Sequence, residues 1–366
     1  MVLSLPGACG GLTRSIVIDR EVLLQDVALQ TRALSRTRAG GFILAGGILT
    51  AQAVMTNESG TILWQYSAPR DNQIDLRDQS QFEGVVQLAN GDLLFCGTQA
   101  TRGRHRVNLV AVLDAESGSA KQFGSRVPND NPSLTSSGFH QCLYREGGIS
   151  LIGYAYADGQ ARGFYWIVKL DANGNKLEEL LAPLVIPTDS VELADHSLVT
   201  QALDESRWEL QVSRVRVNGA ELARRVIPKC TDGLLLRPMT PSNMSRLIAR
   251  GSGIEGTLYT LDENLSDAKP PKRIDDFDLQ RGIGYVLPDG SLALFGRTSN
   301  AAIAWMSPSG SRWSSYTFGA EHISFVVDAA LPLSATEILT VRGSNSADPS
   351  ERGTIISWVT FKHAGH

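Results

Sequence analysis

The chain of 366 residues has no apolar run near the roughly 18 residues that a membrane-crossing helix needs. It is therefore expected to be soluble, or anchored only at its end. Its 4 cysteines, Cys9, Cys96, Cys142 and Cys230, are too few and too scattered for a disulfide framework or a zinc site. The last three read as buried small hydrophobes, with one pair able to bridge if the protein is exported. Positive charge is not in excess either. With 34 Lys and Arg against 38 Asp and Glu, the formal net charge is -4, which gives no global attraction to nucleic acid. The 6 histidines show no ligand spacing such as His-Glu-x-x-His, so no metal is expected. Long helical periodicity and low-complexity linkers are also missing.

What the chain does have is 35 glycines and 42% hydrophobic residues, enough for a large core and many turns. The stretch from Phe164 to Leu177, FYWIVKLDANGNKL, reads as strand, tight turn, strand. Its aromatic and β-branched run suits a half-buried pleated surface, and Asp171-Ala-Asn-Gly174 supplies local side-chain acceptors before a residue free to take positive φ. The same letters resemble a calcium loop. The equivalent turns at Asn57–Gly60, Arg216–Gly219 and Ser307–Gly310 do not keep the ligands, which favours a hairpin. Gly251-Ser-Gly-Ile-Glu-Gly256 matches a dinucleotide fingerprint in letters only, because a strand, Thr257-Leu-Tyr-Thr-Leu261, follows where a helix is required.

A second plan, turn then short apolar strand then terminal Gly, recurs at Arg38–Gly46, Leu88–Gly97, Arg145–Gly153 and Leu287–Gly296, with degenerate copies at 193–202, 239–251 and 331–343. The opening-stretch turn recurs as a separate series at Gly60, Gly118, Gly174, Gly219, Leu265, Gly310 and Gly365. Two interleaved series with one count and a period of about 50 residues predict an all-β, seven-bladed β-propeller with four-stranded blades. The last unit stops before its fourth strand. Ser15–Leu24 is expected to supply it and so to close the ring, with residues 15–366 forming one domain and 1–14 a disordered or truncated leader.

In each blade the turns between first and second, and third and fourth, strands lie at one end, and the other connections lie at the opposite end. The second set holds the long insertions, so the binding face is expected there, centred on the first three blades. The candidates on it are Arg70, Asp78, Arg102, Arg104, His105, Arg106, Tyr154, Tyr156 and Arg162, since Arg and Tyr combine contact area with directed hydrogen bonds. Glu83, His140 and Glu192, on first strands, are expected to line the central channel.

Val112-Leu-Asp-Ala-Glu-Ser-Gly118, with the glycine-to-tryptophan spacings Gly60 to Trp64 and Gly310 to Trp313, resembles bacterial quinoprotein-like and WD40-like propeller repeats. The likeness implies the architecture. Adjacent cysteines, known from quinone-dependent members, are absent, and no cofactor is expected. Met1 to Gly11 resembles the end of a bacterial lipoprotein export signal, with Pro6 where an aliphatic residue is usual. That implies a periplasmic or secreted protein with a lipid anchor at Cys9; if this N-terminus is native and carries no signal, the protein is cytoplasmic. The expected function is non-catalytic protein binding through the long-loop face, as in a bacterial immunity protein that covers a secreted toxin. The alternatives are an enzyme acting on a glycan or lactone in the channel, with Glu83 and His140 as acid and base, and a periplasmic assembly scaffold.

Overall fold

The computed structural model describes residues 14–47, 49–69, 80–100, 106–124, 134–145, 148–157, 163–182, 188–204, 206–216, 219–251, 256–274, 282–296, 303–308, 313–316, 327–344 and 353–363. Of the expected leader, only Arg14 falls among them. The described residues form 28 strands. β1 spans Arg14–Gln25. The first sheet runs β2 (Thr31–Arg36), β3 (Phe42–Gly47), β4 (Ala51–Thr56) and β5 (Ile62–Ser67) in that order. The second runs β6 (Ser80–Gln87), β7 (Leu93–Ala100), β8 (Arg106–Leu113) and β9 (Ala120–Gly124). The third runs β10 (Ser136–Arg145), β11 (Gly148–Tyr156), β12 (Phe164–Leu170) and β13 (Lys176–Ala182). The fourth runs β14 (Asp189–Glu192), β15 (Leu198–Asp204), β16 (Glu209–Val215) and β17 (Glu221–Pro228).

The next two sets of four are one sheet. β18 (Asp232–Pro238), β19 (Ser245–Arg250), β20 (Gly256–Leu261) and β21 (Asp267–Ile274) join β22 (Ile283–Val286), β23 (Leu292–Phe295), β24 (Ile303–Met306) and β25 (Trp313–Tyr316) through parallel pairing of β18 with β22. Leu236 pairs with Gly284 there, and Leu236 Cδ2 lies 2.3 Å from where a Cβ on Gly284 would be. The missing side chain lets the two first strands approach closely enough to bond. The last sheet is β26 (Val327–Pro332), β27 (Glu337–Ser344) and β28 (Gly353–His363), with β1 outermost against β28.

The expected ring of seven separate blades closed by the N-terminal strand is corrected by these sheets. The described residues form five four-stranded blades and one continuous eight-stranded sheet, and what β1 completes is one of the five. Two compact units result, one holding β2 to β13 and the other β1 with β14 to β28. No helix among the described residues is long and apolar enough to cross a membrane.

Within each unit the core lies between successive sheets. Ile43, Met55 and Trp64 of the first sheet pack against Phe82, Phe95 and Ala111 of the second. Phe82 and Phe95 pack with ring centroids 4.9 Å apart and planes tilted by 37°, and burying each ring is worth about 2 to 3 kcal/mol. Val86, Leu94 and Cys96 of the second sheet meet Phe139, Leu151 and Trp166 of the third. Tyr285, Phe295 and Trp305 meet Val327, Ile338 and Phe361 in the other unit. Trp64 reaches across to the β8–β9 turn: it lies over Gly118, where a Cβ would come within 2.7 Å of the indole, and Trp64 Nε1 donates to the Ala115 carbonyl at 2.9 Å.

The turns are self-capped. Asp171 Oδ1 accepts from the backbone N–H groups of Asn173 and Asn175 at 2.8 and 2.9 Å, and Asn175 Nδ2 donates to Oδ2 at 2.8 Å. The carboxylate that resembles a calcium ligand is thus a hairpin cap. Asp262 does the same for Asn264 and Ser266 at 2.8 and 2.9 Å. This explains how Leu265 stands in the glycine series: it takes φ 59°, where Gly174 takes 89°. The strand after the Gly251 motif is β20, which begins at Gly256.

Candidate functional site

The first strands of the three sheets in the unit β2 to β13 share one irregularity. Pairing slips by one residue between Thr31 and Ala33, between Phe82 and Gly84, and between Phe139 and Gln141. The extra residues are Arg32, Glu83 and His140. Opposite each bulge stands the terminal glycine of the repeat. A Cβ on Gly46, Gly97 or Gly153 would come within 1.9, 2.0 or 1.9 Å of the carbonyl oxygen of Gln30, Gln81 or Gly138. The repeat therefore conserves internal room for a bulge, and the bulge re-aims one polar side chain per sheet.

Glu83 is the centre of this arrangement. Burial raises its pKa, opposed by the charge of Arg32, a hydrogen bond from Gln81 and the charge of Arg106. Arg32 Nε is buried and has no acceptor among the described residues. Arg106 opens β8 and is exposed. Its backbone N–H donates to Ser136 Oγ at 2.9 Å, and its side chain hydrogen-bonds Tyr154. The Tyr154 hydroxyl lies 2.8 Å from where a Cβ on Gly138 would be, so Gly138 makes its seat. Burial raises the Tyr154 pKa, opposed by Arg106, while Tyr156 and Glu83 push it further up. Tyr154 and Tyr156 stack with centroids 6.0 Å apart and planes at 17°. Burial pushes His140 down to about 4, so it is neutral at physiological pH.

Of the expected surface residues, Arg106, Tyr154 and Tyr156 are brought together at one end of their sheets, where β6 and β10 begin and β7 and β11 finish. Arg70, Asp78, Arg102, Arg104, His105 and Arg162 lie outside the described residues. Of the expected channel residues, Glu83 and His140 occupy equivalent bulges. Glu192 does not: it ends β14, whose pairing has no slip, and its Oε1 lies 2.9 Å from His196 Nδ1 at the tight turn. The sequence reading missed Arg32, Gln81 and Gly138. The available signal for Arg32 was its place 14 positions before Gly46, the same offset that separates Glu83 from Gly97.

Beneath the bulges Cys96 and Cys142 form a disulfide that ties β7 of the second sheet to β10 of the third, with Cα atoms 6.3 Å apart. Gly84, next to Glu83, makes room for it, since a Cβ there would lie 2.7 Å from Cys142 Sγ and 2.9 Å from Cys96 Sγ. Cys230 is buried and free. In the other unit a separate polar group joins first strands. Arg237 Nη2 meets Asp189 Oδ1 at 2.9 Å, which raises the Arg237 pKa, and the Tyr285 hydroxyl donates to the Ala330 carbonyl at 2.7 Å. Both charges there are matched, as a structural pair requires.

Among the described residues no group of three or more His, Cys, Asp or Glu is placed to hold a metal ion. A shallow pocket of about 380 Å³ at the tight-turn end of the first sheet is lined by Met55, Leu63 and Glu58. Glu58 is already held by Arg36 at 2.7 Å.

No family model matches the chain, and no curated protein matches it. Solved structures do resemble it. The Dos1 propeller aligns over 94% of this chain and 95% of its own, with a TM-score of 0.58 at 8% identity. The fold is a β-propeller. A protein of unknown function from Bacteroides caccae aligns over 73% of this chain and 90% of its own, with a TM-score of 0.43 at 10% identity. At such identities the likeness concerns the fold alone.

Proposed function

We propose that this β-propeller is a non-catalytic binding protein whose partner is another protein, held at the end of the blades where Arg106, Tyr154 and Tyr156 meet. The observation that carries the reading is the stacked tyrosine pair with an exposed arginine bonded to it: rigid aromatic area beside a planar donor is the composition of interface hot spots. The propeller fold is compatible with this role. The longest insertions, with Arg70, Asp78, Arg102, Arg104, His105 and Arg162, extend the same surface in this reading. A secreted or periplasmic location fits the Cys96–Cys142 bridge, because such bonds persist in oxidising compartments. An immunity protein that covers a secreted toxin is the most concrete form of the proposal, and a periplasmic scaffold anchored at Cys9 is another.

The test is a size-exclusion and calorimetric titration against the products of neighbouring genes, repeated with the Arg106→Ala, Tyr156→Ala double variant. The expected result is a stoichiometric complex that the double variant weakens at least tenfold with thermal unfolding unchanged. Equal affinity of the double variant would move the interface elsewhere.

The second reading is an enzyme that acts on a glycan or lactone. It is favoured by Glu83, whose pKa is raised as a general acid requires. A panel of lactones and aryl glycosides tests it: turnover abolished by Glu83→Gln supports it, and no turnover of any member by the wild type removes it.

A further inference from the structure

We infer that Arg32, Arg106 and the Tyr154 hydroxyl form a binding site for a single carboxylate group beside Glu83. Its residues stand on β2, β6, β8 and β11 of three sheets, with Arg32 and Arg106 both near enough to Glu83 for their charges to act on it, and the bulges at Arg32 and Glu83 are built by glycines that cannot carry a side chain. The Arg32 Nε is shielded from solvent and has no acceptor among the described residues, an arrangement that a bound acceptor would relieve. The remaining donors are of the right kind. Two guanidinium groups offer paired N–H donors that match the two oxygens of a carboxylate, and the tyrosine hydroxyl, itself held by Arg106, offers a third direction.

Charge selects the ligand. Two arginines against one glutamate leave one net positive charge when Glu83 is ionised, because His140 on the adjoining first strand is neutral. A monoanion neutralises that excess. A phosphate dianion would overshoot it and leave the cluster with one net negative charge beside Glu83. The ligand is therefore a small monocarboxylic acid or the carboxylate of an acidic side chain.

The site shares Arg106 and Tyr154 with the proposed partner surface, whereas Arg32 belongs to it alone. Titration of the protein with propionate, with inorganic phosphate and with the capped peptide Ala-Glu-Ala, followed by calorimetry at low salt, tests it. Saturable binding of propionate or of the peptide is expected, weakened tenfold or more by Arg32→Gln and also by Arg106→Gln, whose exposed side chain leaves folding intact. Arg32→Lys, which keeps charge but loses the fork, should fall between. Tighter binding of the peptide identifies an acidic side chain as the source, and tighter binding of propionate a free acid. No saturable binding of either carboxylate, phosphate bound as tightly as propionate, or unchanged affinity in folded Arg32→Gln overturns the inference. Arg32→Gln should leave association with a protein partner through Tyr156 within twofold, so the two readings fail separately.

Discussion

The carbonyl oxygen of Gln81 lies 2.0 Å from the point where a Cβ on Gly97 would sit. A methyl group cannot share that space with a backbone atom, so the β6 bulge that presents Glu83 exists only while residue 97 has no side chain. Gly97→Ala should cost about 2 to 3 kcal/mol in urea unfolding, the scale of overpacking against backbone. Gly91→Ala makes a useful contrast: nothing lies within 4 Å of its missing Cβ, but φ is 95°, and the expected loss is only about 1 kcal/mol from backbone conformation. A loss at Gly97 no larger than at Gly91 would mean that the bulge relaxes freely.

The Cys96–Cys142 bond closes a segment with a sequence separation of 46. In the chain-entropy account a loop of that length stabilises by about 4 kcal/mol. Reduction by dithiothreitol, or Cys142→Ser, should therefore lower the unfolding midpoint by several degrees and weaken the seam between the second and third sheets first. Hydrogen exchange in β7 and β10 rising together would be the signature. An unchanged midpoint after confirmed loss of the bond would refute the staple.

His140 supplies a pH dependence whose sign is fixed by its downward shift. Its folded pKa of about 4 lies below the ordinary value near 6.5, so above pH 6.5 neither state binds the proton and the folded state is at full advantage. Between pH 6.5 and 4 the unfolded chain takes up a proton that the folded chain refuses, and stability is lost, by about 3 to 4 kcal/mol in total. Glu83, raised by burial, acts in the opposite sense and gains stability on acidification. Chemical denaturation across this range should show a shallower decline for His140→Gln than for the wild type, and parallel curves would count against the shift.

Two non-glycine residues occupy turn positions where the repeat elsewhere uses glycine. His196 has φ 64° at the place where Gly290 has 79°, and Leu265 has φ 59°. Relief of backbone strain should make His196→Gly more stable by up to about 1 kcal/mol, since its exposed contact with Glu192 contributes little. Leu265→Gly should go the other way. Leu265 is only 2% exposed within the core between β16 and β19, and losing about 3 kcal/mol of burial outweighs the strain. Thermal midpoints of the two variants moving in the same direction would contradict this division.

Much of the fold is legible because the strand signals are local. Phe164 to Leu170, its Asp171 turn and the glycine after it form a hairpin whatever the rest of the chain does, and the recurrence of that hairpin carries the propeller architecture. The joining of β18 to β22 is not local. It depends on Leu236 meeting Gly284, 48 positions further along the chain, and no periodicity distinguishes a glycine that ends a turn from one that admits a neighbouring strand. The candidate site divides in the same way. Strand order alone predicts that Arg106, Tyr154 and Tyr156 stand at one end of their sheets, which is where the pairings put them. Glu192, expected beside Glu83 and His140, ends β14, which pairs without a slip, and a bulge is not visible in the letters of a strand. Arg32 was missed because a bulge changes which way a residue faces without changing its letter. The pairing of Cys96 with Cys142 needed two adjacent sheets in space.

The pairing of Val22 with Ile356, and of the residues around them, also sets a clock. At ribosomal rates of about 5 to 20 residues per second, β1 emerges on the order of 20 to 60 s before its partner strand exists. For that interval a strand rich in Ile, Val and Leu has no neighbour, and in a cell it needs shelter. Every other sheet can form as its residues arrive. The sheet holding β1 can be completed only after β28 has been made, which makes its assembly wait on every other strand described.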